Sequence, residues 1–409
     1  MAKVLLVTTN FWPEPTGISV YTTDLAGSLN EAGHSVSVLT SLPHYPWWTI
    51  PSEHAHLVEG TSEQNGIEVV RVKHLIPPKM NALIRIRFET SLWWNLGRVS
   101  KRFKSGEFEV VLACIPAVAA GIIGKRIAKK LELPFGLIVQ DLSGAGAKQS
   151  GLRGGALISK VAHVVEGSAL KAADGLVVVS PAMRDVVIGL GVRESRICQI
   201  LNYSARTIYS VNREQSRSKF GWKADDFVVL HTGNMGTKQD LRNVVNAADS
   251  LPEKSKIRIF LVGHGNQESH LRNLCFGKRN IRVLPAVPEE DYSALLSAAD
   301  LLLVNERSTQ MEMSLPSKLT SYLYSQRPVI AAVPRNGATW HYLDGIAELV
   351  DAGKPEQLAD ALEELSGNSE KRIQLAIKGH EFARVHLDPE IGREKYLDWV
   401  ENLIESKHG

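Results

Sequence analysis

Three stretches of this 409-residue chain set glycines, a lysine, or both where a strand or helix end could meet a phosphate. In Val228-Val-Leu-His-Thr-Gly-Asn-Met-Gly-Thr-Lys-Gln239 an apolar run delivers Gly233, Asn234, Gly236 and Lys238 into the turn behind it. The glycines bare backbone N–H groups, and the lysine two residues on supplies a point charge for a phosphate oxygen. A lysine on a solvated loop is the plainer reading of the same residues. In Leu261-Val-Gly-His-Gly265 a second apolar run ends in Gly263, His264 and Gly265, at the strand edge where open α/β sheets take ligands. Ser314-Leu-Pro-Ser-Lys-Leu-Thr-Ser-Tyr-Leu-Tyr324 sets Pro316 at a first helical position, with Ser317 and Lys318 in the first turn. The helix dipole disfavours a lysine there, so its presence asks for an anion, and dipole, N–H groups and ammonium converge on a seat for a diphosphate.

Nearer the N-terminus, Asn10-Phe-Trp-Pro-Glu-Pro-Thr-Gly17 joins an apolar run to a helical pattern over 20–32 that stops at Gly33. Gly17 lets backbone approach a ligand at a helix N-terminus; a tight turn explains it equally well. Neither first strand is followed by GxGxxG, which argues against a dehydrogenase.

The elements that must carry these turns repeat in two series. Short β-branched runs at 4–8, 35–40, 68–72, 110–113, 135–139 and 176–179 alternate with helical patterns. The series begins again at 227–231, 258–262, 281–284, 301–304, 328–332 and 348–350. Continuous apolar runs suit parallel strands buried on both faces, so the fold class is α/β, with two Rossmann-like doubly wound parallel-sheet domains facing across a cleft. Residues 203–222 read as a linker, placing the domains at 1–208 and 209–386. A last helix, within about 387–409, has helical spacing at Tyr396, Trp399, Leu403 and Ile404 and is expected to pack back on the first domain.

Bulk composition fits that plan. With 44% hydrophobic and 22% charged residues the chain can bury two cores, and a net charge of +3 is too small for a binder of nucleic acid held by its charge alone. Three scattered cysteines, Cys114, Cys198 and Cys275, show no zinc spacing and suit a reducing cytoplasm. No apolar run reaches the ~18 residues needed to cross a bilayer, so any membrane contact is expected to be peripheral.

Taken together, Pro15-Thr-Gly-Ile18 with Ala32-Gly-His-Ser-Val-Ser-Val-Leu-Thr40, Ala173-Asp-Gly-Leu-Val-Val-Val-Ser-Pro-Ala-Met183, Gly233 to Lys238, and Pro316-Ser-Lys-Leu319 before Arg327-Pro-Val-Ile-Ala331 carry a resemblance over nearly the whole chain. The chain resembles the retaining GT-B glycosyltransferases of the large bacterial family (glycosyltransferase family 4) that includes capsule, O-antigen and colanic-acid transferases. Thr16-Gly17, Pro43-His-Tyr-Pro46, Gln140-Asp141 and Pro316-Ser-Lys318 are most similar to its colanic-acid fucosyltransferase-like and N-acetylfucosamine transferase-like members.

The resemblance implies a nucleotide-diphosphate sugar donor, a UDP- or GDP-sugar, bound by the C-terminal domain, and a lipid-linked or polysaccharide acceptor at the N-terminal one. It implies no metal and no other cofactor. Lys238 and Lys318 would take the diphosphate, Gly17 would approach donor phosphate or sugar, and Gly233, Asn234, Gly236, Gly263, His264, Gly265, Pro316 and Ser317 would shape the donor site. Many relatives carry two glutamates eight positions apart, where this chain has Met313 and Ser321; Glu312 is one place off the first, and Ser321 can still bond a ribose hydroxyl. A histidine common in the first domain is replaced by Gln140, beside Asp141, which joins the two lysines as a catalytic candidate. Such enzymes work mainly by positioning and by stabilising charge on the leaving diphosphate, which suits lysines and helix ends better than a carboxylate pair.

Residues 71–104 hold nine Lys or Arg against Glu89 alone, with Trp93 and Trp94 between them. Ile84, Phe88, Leu92, Leu96, Val99 and Phe103 form a helical stripe. One reading is an interfacial helix on an anionic membrane, with Arg85, Arg87, Trp93 and Trp94 in contact; the other is a core stripe under a solvated basic face. Two further functions share the expected fold: a nucleotide-sugar 2-epimerase, and a non-catalytic partner subunit that binds nucleotide sugar or membrane.

Overall fold

The computed structural model describes residues 1–15, 17–77, 82–142, 166–203, 208–309 and 315–406. It divides into two compact units, Met1–Leu201 with Glu390–Gly409, and Asn202–Pro389.

The first unit is built on eight strands: β1 (Lys3–Val7), β2 (Ser35–Ser41), β3 (Gly60–Gln64), β4 (Ile67–Val72), β5 (Val110–Ile115), β6 (Phe135–Val139), β7 (Gly175–Val178) and β8 (Ile197–Gln199). Their order is β3-β4-β2-β1-β5-β6-β7-β8, and every pairing is parallel except the β3–β4 hairpin. Every residue of β5 and β6 is buried, as the unbroken apolar runs of a parallel sheet require. The hairpin was not foreseen: its turn, Asn65-Gly66, has φ of 50° and 77°, the two left-handed residues of a type I′ turn. The order reverses at β1, whose neighbours are β2 and β5, so the edge beyond β1 is where an open sheet leaves a crevice.

The final helix, Pro389–Glu405, lies on β6 and β7 of this unit. A Cβ on Gly136 would meet Trp399 and Leu403 at 2.7 and 2.8 Å, and one on Gly175 would meet the same side chains at 3.0 and 2.9 Å. Two strand glycines thus provide the groove into which the helix settles. Arg393 pairs with Asp24 on helix Ile18–Glu31 and ties its first turns down.

The second unit contains β9 (Phe227–Thr232), β10 (Ile257–Val262), β11 (Ile281–Leu284), β12 (Leu301–Asn305), β13 (Val329–Val333) and β14 (Glu348–Asp351), all parallel in the order β11-β10-β9-β12-β13-β14. Val229, Ile259, Leu261 and Ile330 on one sheet face form a core with Val244, Leu271, Leu358 and Leu362 of helices Leu241–Ser250, Glu268–Cys275 and Pro355–Gly367. This sheet reverses at β9, between β10 and β12, so the turns behind β9, β10 and β12 share one edge. The twelve strands expected from sequence all form, with ends moved by no more than two residues.

Candidate functional site

The last two residues of β9 organise the edge of the second unit. His231 is fully buried, and its Nδ1 lies 3.0 Å from the Leu303 carbonyl of β12. That carbonyl can only accept, so Nδ1 carries the proton and Nε2 presents a lone pair. Lys318 Nζ is 3.1 Å from this Nε2. Burial, with the neighbouring ammonium, holds the imidazole well below its usual range and keeps it neutral. Thr232 donates its N–H to the Tyr322 hydroxyl at 2.7 Å, and its own hydroxyl lies 3.1 Å from Tyr322 and Tyr292. Consecutive strand residues therefore grip Lys318 and Tyr322, four apart on helix Ser317–Tyr324, which fixes that helix N-terminus against the β9 turn.

The helix begins one residue later than the sequence suggested. Pro316 precedes it with ψ of 130°, an extended conformation, and Ser317 and Lys318 occupy the first turn. The N-cap residue Pro316 supplies no side-chain cap bond, the Leu319 N–H returns to the Pro316 carbonyl at 2.9 Å, and the helix dipole favours an anion at this end. Ser321 is buried one turn on. Glu312 and Met313 lie outside the described residues.

The β9 and β10 turns interlock through glycine. Gly233 has φ of 102°, and the position of a Cβ on it would lie 3.9 Å from Lys318 Nζ, so the ammonium sits beside bare backbone. A Cβ on Gly263 (φ 149°) would fall 1.9 Å from the Gly233 carbonyl oxygen, and one on Gly265 (φ 159°) 2.5 Å from that of Met235. Only glycine permits these approaches. Gly233 N–H bonds the Val262 carbonyl at 2.9 Å and Met235 N–H that of His264 at 2.7 Å, while the His264 side chain is exposed. Asn234 is exposed, and the Gly236 N–H is bonded by Gln239 Oε1 at 3.2 Å.

The end of β12 then secures the turn that carries Lys238. Asn305 Nδ2 donates to the carbonyls of Gln239 and Asp240 at 2.7 and 3.1 Å, and Asn243 Nδ2 donates to Asn305 Oδ1 at 2.8 Å. Arg307 N–H bonds the Lys238 carbonyl at 2.8 Å. Sequence reasoning singled out Lys238 and Lys318 but not the residues that bond to them or to their turn, His231, Asn305 and Arg307. A histidine inside an otherwise apolar strand end, directly before Thr232-Gly233, was the available signal for the first.

In the first unit, Gly17 (φ 72°) opens helix Ile18–Glu31 with no side-chain cap, and the position of its Cβ would be 3.2 Å from the Tyr45 ring. Thr16 lies outside the described residues. Behind Gly17, buried Glu14 accepts the N–H groups of His44 and Tyr45, both at 2.8 Å, and the Asn10 amide at 2.7 Å. Burial pushes its carboxyl up to about 7 against the pull of those bonds. This carboxylate joins the β1 and β2 turns and was not foreseen. Asp141 follows β6, exposed, with its carboxylate accepting the Leu142 N–H at 2.8 Å; β5 separates its strand from that of Gly17.

The basic segment resolves into two faces of helix Ala82–Ser100. Phe88, Leu92, Leu96 and Val99 are buried, so the regular stripe is core and not an interfacial face. Opposite it, Leu83, Ile86, Trp93 and Trp94 are exposed, Trp94 by 66%, together with Arg85 and Arg87. Among the described residues no helix is long and apolar enough to cross a membrane, and no group of three or more His, Cys, Asp or Glu is placed to hold a metal ion.

Residues 16–202 match the glycosyl transferase 4-like domain and residues 212–382 the glycosyl transferases group 1 domain. The chain is 27% identical over 334 residues to the putative colanic acid biosynthesis glycosyl transferase WcaI of Escherichia coli (strain K12), covering 78% of this chain and 81% of that protein. It is 25% identical over 238 residues to the lipopolysaccharide core biosynthesis glycosyltransferase LpsE of Rhizobium meliloti (strain 1021), covering 57% and 65%. Among solved structures, sucrose-phosphate synthase from Thermosynechococcus elongatus superposes with a TM-score of 0.77 at 15% identity, covering 99% of this chain and 100% of that one. Anabaena HepE in complex with UDP-glucose superposes with a TM-score of 0.69 at 16% identity, covering 98% and 100%. At these identities the superpositions establish a shared fold.

Proposed function

Since the chain is a glycosyltransferase of the GT-B fold, a glycosyl transferase 4-like domain followed by a group 1 domain, we propose that it moves a sugar from a nucleoside-diphosphate sugar to a lipid-linked or polysaccharide acceptor during assembly of a cell-surface glycan. The observation that carries this reading is the Lys318 ammonium, held in the first turn of its helix beside the bare backbone of Gly233, on the edge that also bears Lys238. Cation, dipole and N–H groups aimed at one point suit the charge that grows on a leaving diphosphate, and a preorganised site stabilises that charge without reorganising. The colanic-acid and lipopolysaccharide relatives support the acceptor class, and the UDP-glucose complex of HepE supports a nucleotide-sugar donor.

The transfer proceeds with retention and without a metal, the two lysines bearing the diphosphate and the diphosphate itself receiving the acceptor proton. In the first unit, Gly17 at the head of its helix and Asp141 after β6 are the candidates for contact with the sugar and for catalysis. The protein works on the cytoplasmic face of the membrane, touching anionic lipid through Leu83, Ile86, Trp93 and Trp94 flanked by Arg85 and Arg87.

Lys318→Ala and Lys238→Ala each test the donor assignment. Loss of one charge-assisted contact to the leaving group lowers kcat/KM by about 10²-fold; the thermal unfolding midpoint of Lys238→Ala stays within a few degrees, whereas that of Lys318→Ala falls because the buried His231 Nε2 loses this donor, with the protein still folded. Wild-type turnover in both variants sinks the assignment.

A further inference from the structure

We propose that His231 is the positioning residue for Lys318: its buried, neutral imidazole holds the ammonium beside the Gly233 turn in advance of the donor. The inference rests on the reading of this edge as the diphosphate site.

A ring with two nitrogens at the end of an apolar strand is costly to bury unless both are satisfied. Here each has a partner of fixed polarity, the Leu303 carbonyl accepting from Nδ1–H and the Lys318 ammonium donating to Nε2. The β12 carbonyl thereby selects the one neutral tautomer able to accept from a lysine. Binding through a neutral acceptor also has an electrostatic consequence. A carboxylate at this place would hold the ammonium but oppose its charge, whereas a neutral imidazole accepts from the cation without adding an opposing charge. A lysine side chain loses rotamer freedom when it is fixed, so fixing it before the donor arrives removes part of that cost from binding. The Tyr322 bond to Thr232 immobilises the helix from which Lys318 extends, so both ends of the lysine are held from β9.

Two substitutions separate the halves of the ring. His231→Asn places an amide near Nδ1, keeping a donor for the Leu303 carbonyl while falling short of Lys318. His231→Gln reaches the position of Nε2 with an acceptor oxygen. The quantities to measure are UDP affinity by calorimetry, kcat and KM for the donor that turns over, and the thermal midpoint. His231→Asn is expected to weaken UDP binding and raise KM by about tenfold with kcat less affected, and His231→Gln to recover most of that loss. In the Lys318→Ala background His231→Asn should add nothing, because the residue acts through the lysine.

An additive loss there, or undiminished affinity in His231→Asn, overturns the inference. Undiminished affinity and turnover in Lys318→Ala itself would instead overturn the underlying site. A measurement on the unaltered protein covers the case in which the buried variants fail to fold. Nitrogen-15 imidazole spectra, with the His231 signals identified by their absence in His231→Gln or by connectivity, should show a neutral ring protonated at Nδ1 whose Nε2 resonance moves on addition of UDP. A ring protonated at Nε2 cannot accept from Lys318 and refutes the assignment.

Discussion

Glu14 shows how far a single side chain can govern a turn. Its carboxylate takes three hydrogen bonds, two from the backbone of the β2 turn, yet burial raises its pKa from 4.5 to about 7. A carboxyl whose folded value exceeds its unfolded value binds protons more tightly in the native state. Its contribution to stability is then complete below about pH 4.5 and is lost as pH rises through about 7. Glu14→Gln keeps an acceptor for both N–H groups and abolishes the titration. Denaturation of wild type should show stability falling between pH 5 and 8 by an amount on the order of 2 kcal/mol more than in Glu14→Gln; parallel profiles would show that the carboxyl does not titrate in this window. The cation Lys318 was legible in the sequence because its helix start, proline and serine are neighbours in the chain. Its partner His231 was not, since the bond joins residues 87 apart and exists only once β9 and the helix are packed.

At the scale of elements, the strands were legible because parallel sheets need unbroken apolar runs, and these stand out. The β3–β4 hairpin escaped because β3, Gly-Thr-Ser-Glu-Gln, is polar and largely exposed, and the Asn65-Gly66 turn that announces it was passed over. Periodicity in helix Ala82–Ser100 told that one face is apolar but not that a second, irregular set of large side chains faces out. The interlocked turns at Gly233 and Gly263 lie in the same category: both glycines were singled out for access to a ligand, whereas the structure shows that Gly263 is also required by the neighbouring carbonyl. Gly263→Ala should therefore destabilise the second unit by about 3 kcal/mol or more and abolish UDP binding. Gly27→Ala, in the middle of helix Ile18–Glu31 with nothing within 4 Å of the new carbon, should stabilise by up to about 1 kcal/mol. Chemical denaturation of both variants checks the pair; a benign Gly263→Ala would mean that the turns are not packed as described.

For the whole molecule, the repeat of strand series gave two α/β units and the spacing of the last apolar residues gave a terminal helix. What seats that helix, glycines at 136 and 175 facing Trp399 and Leu403, depends on residues more than 220 positions apart and had no local signature. The exposed Leu83, Ile86, Trp93 and Trp94 bear on where the molecule works. Sedimentation with phosphatidylglycerol vesicles should carry down the wild-type protein, and much less of a Trp94→Ala, Arg87→Glu variant, with phosphatidylcholine vesicles retaining little of either. Equal sedimentation of both proteins would remove the membrane from the account.

The most direct test of the central claim is calorimetric titration of the purified protein with UDP, GDP, ADP and dTDP in the presence of a chelator, followed by thermal unfolding with each at about one hundred times its dissociation constant. One nucleoside diphosphate should bind without metal, stabilise the protein by roughly 2.7 kcal/mol, and lose affinity in Lys318→Ala. If none binds, with or without added Mg²⁺, the edge bearing Lys238 and Lys318 is not a donor site and the proposed transfer is contradicted.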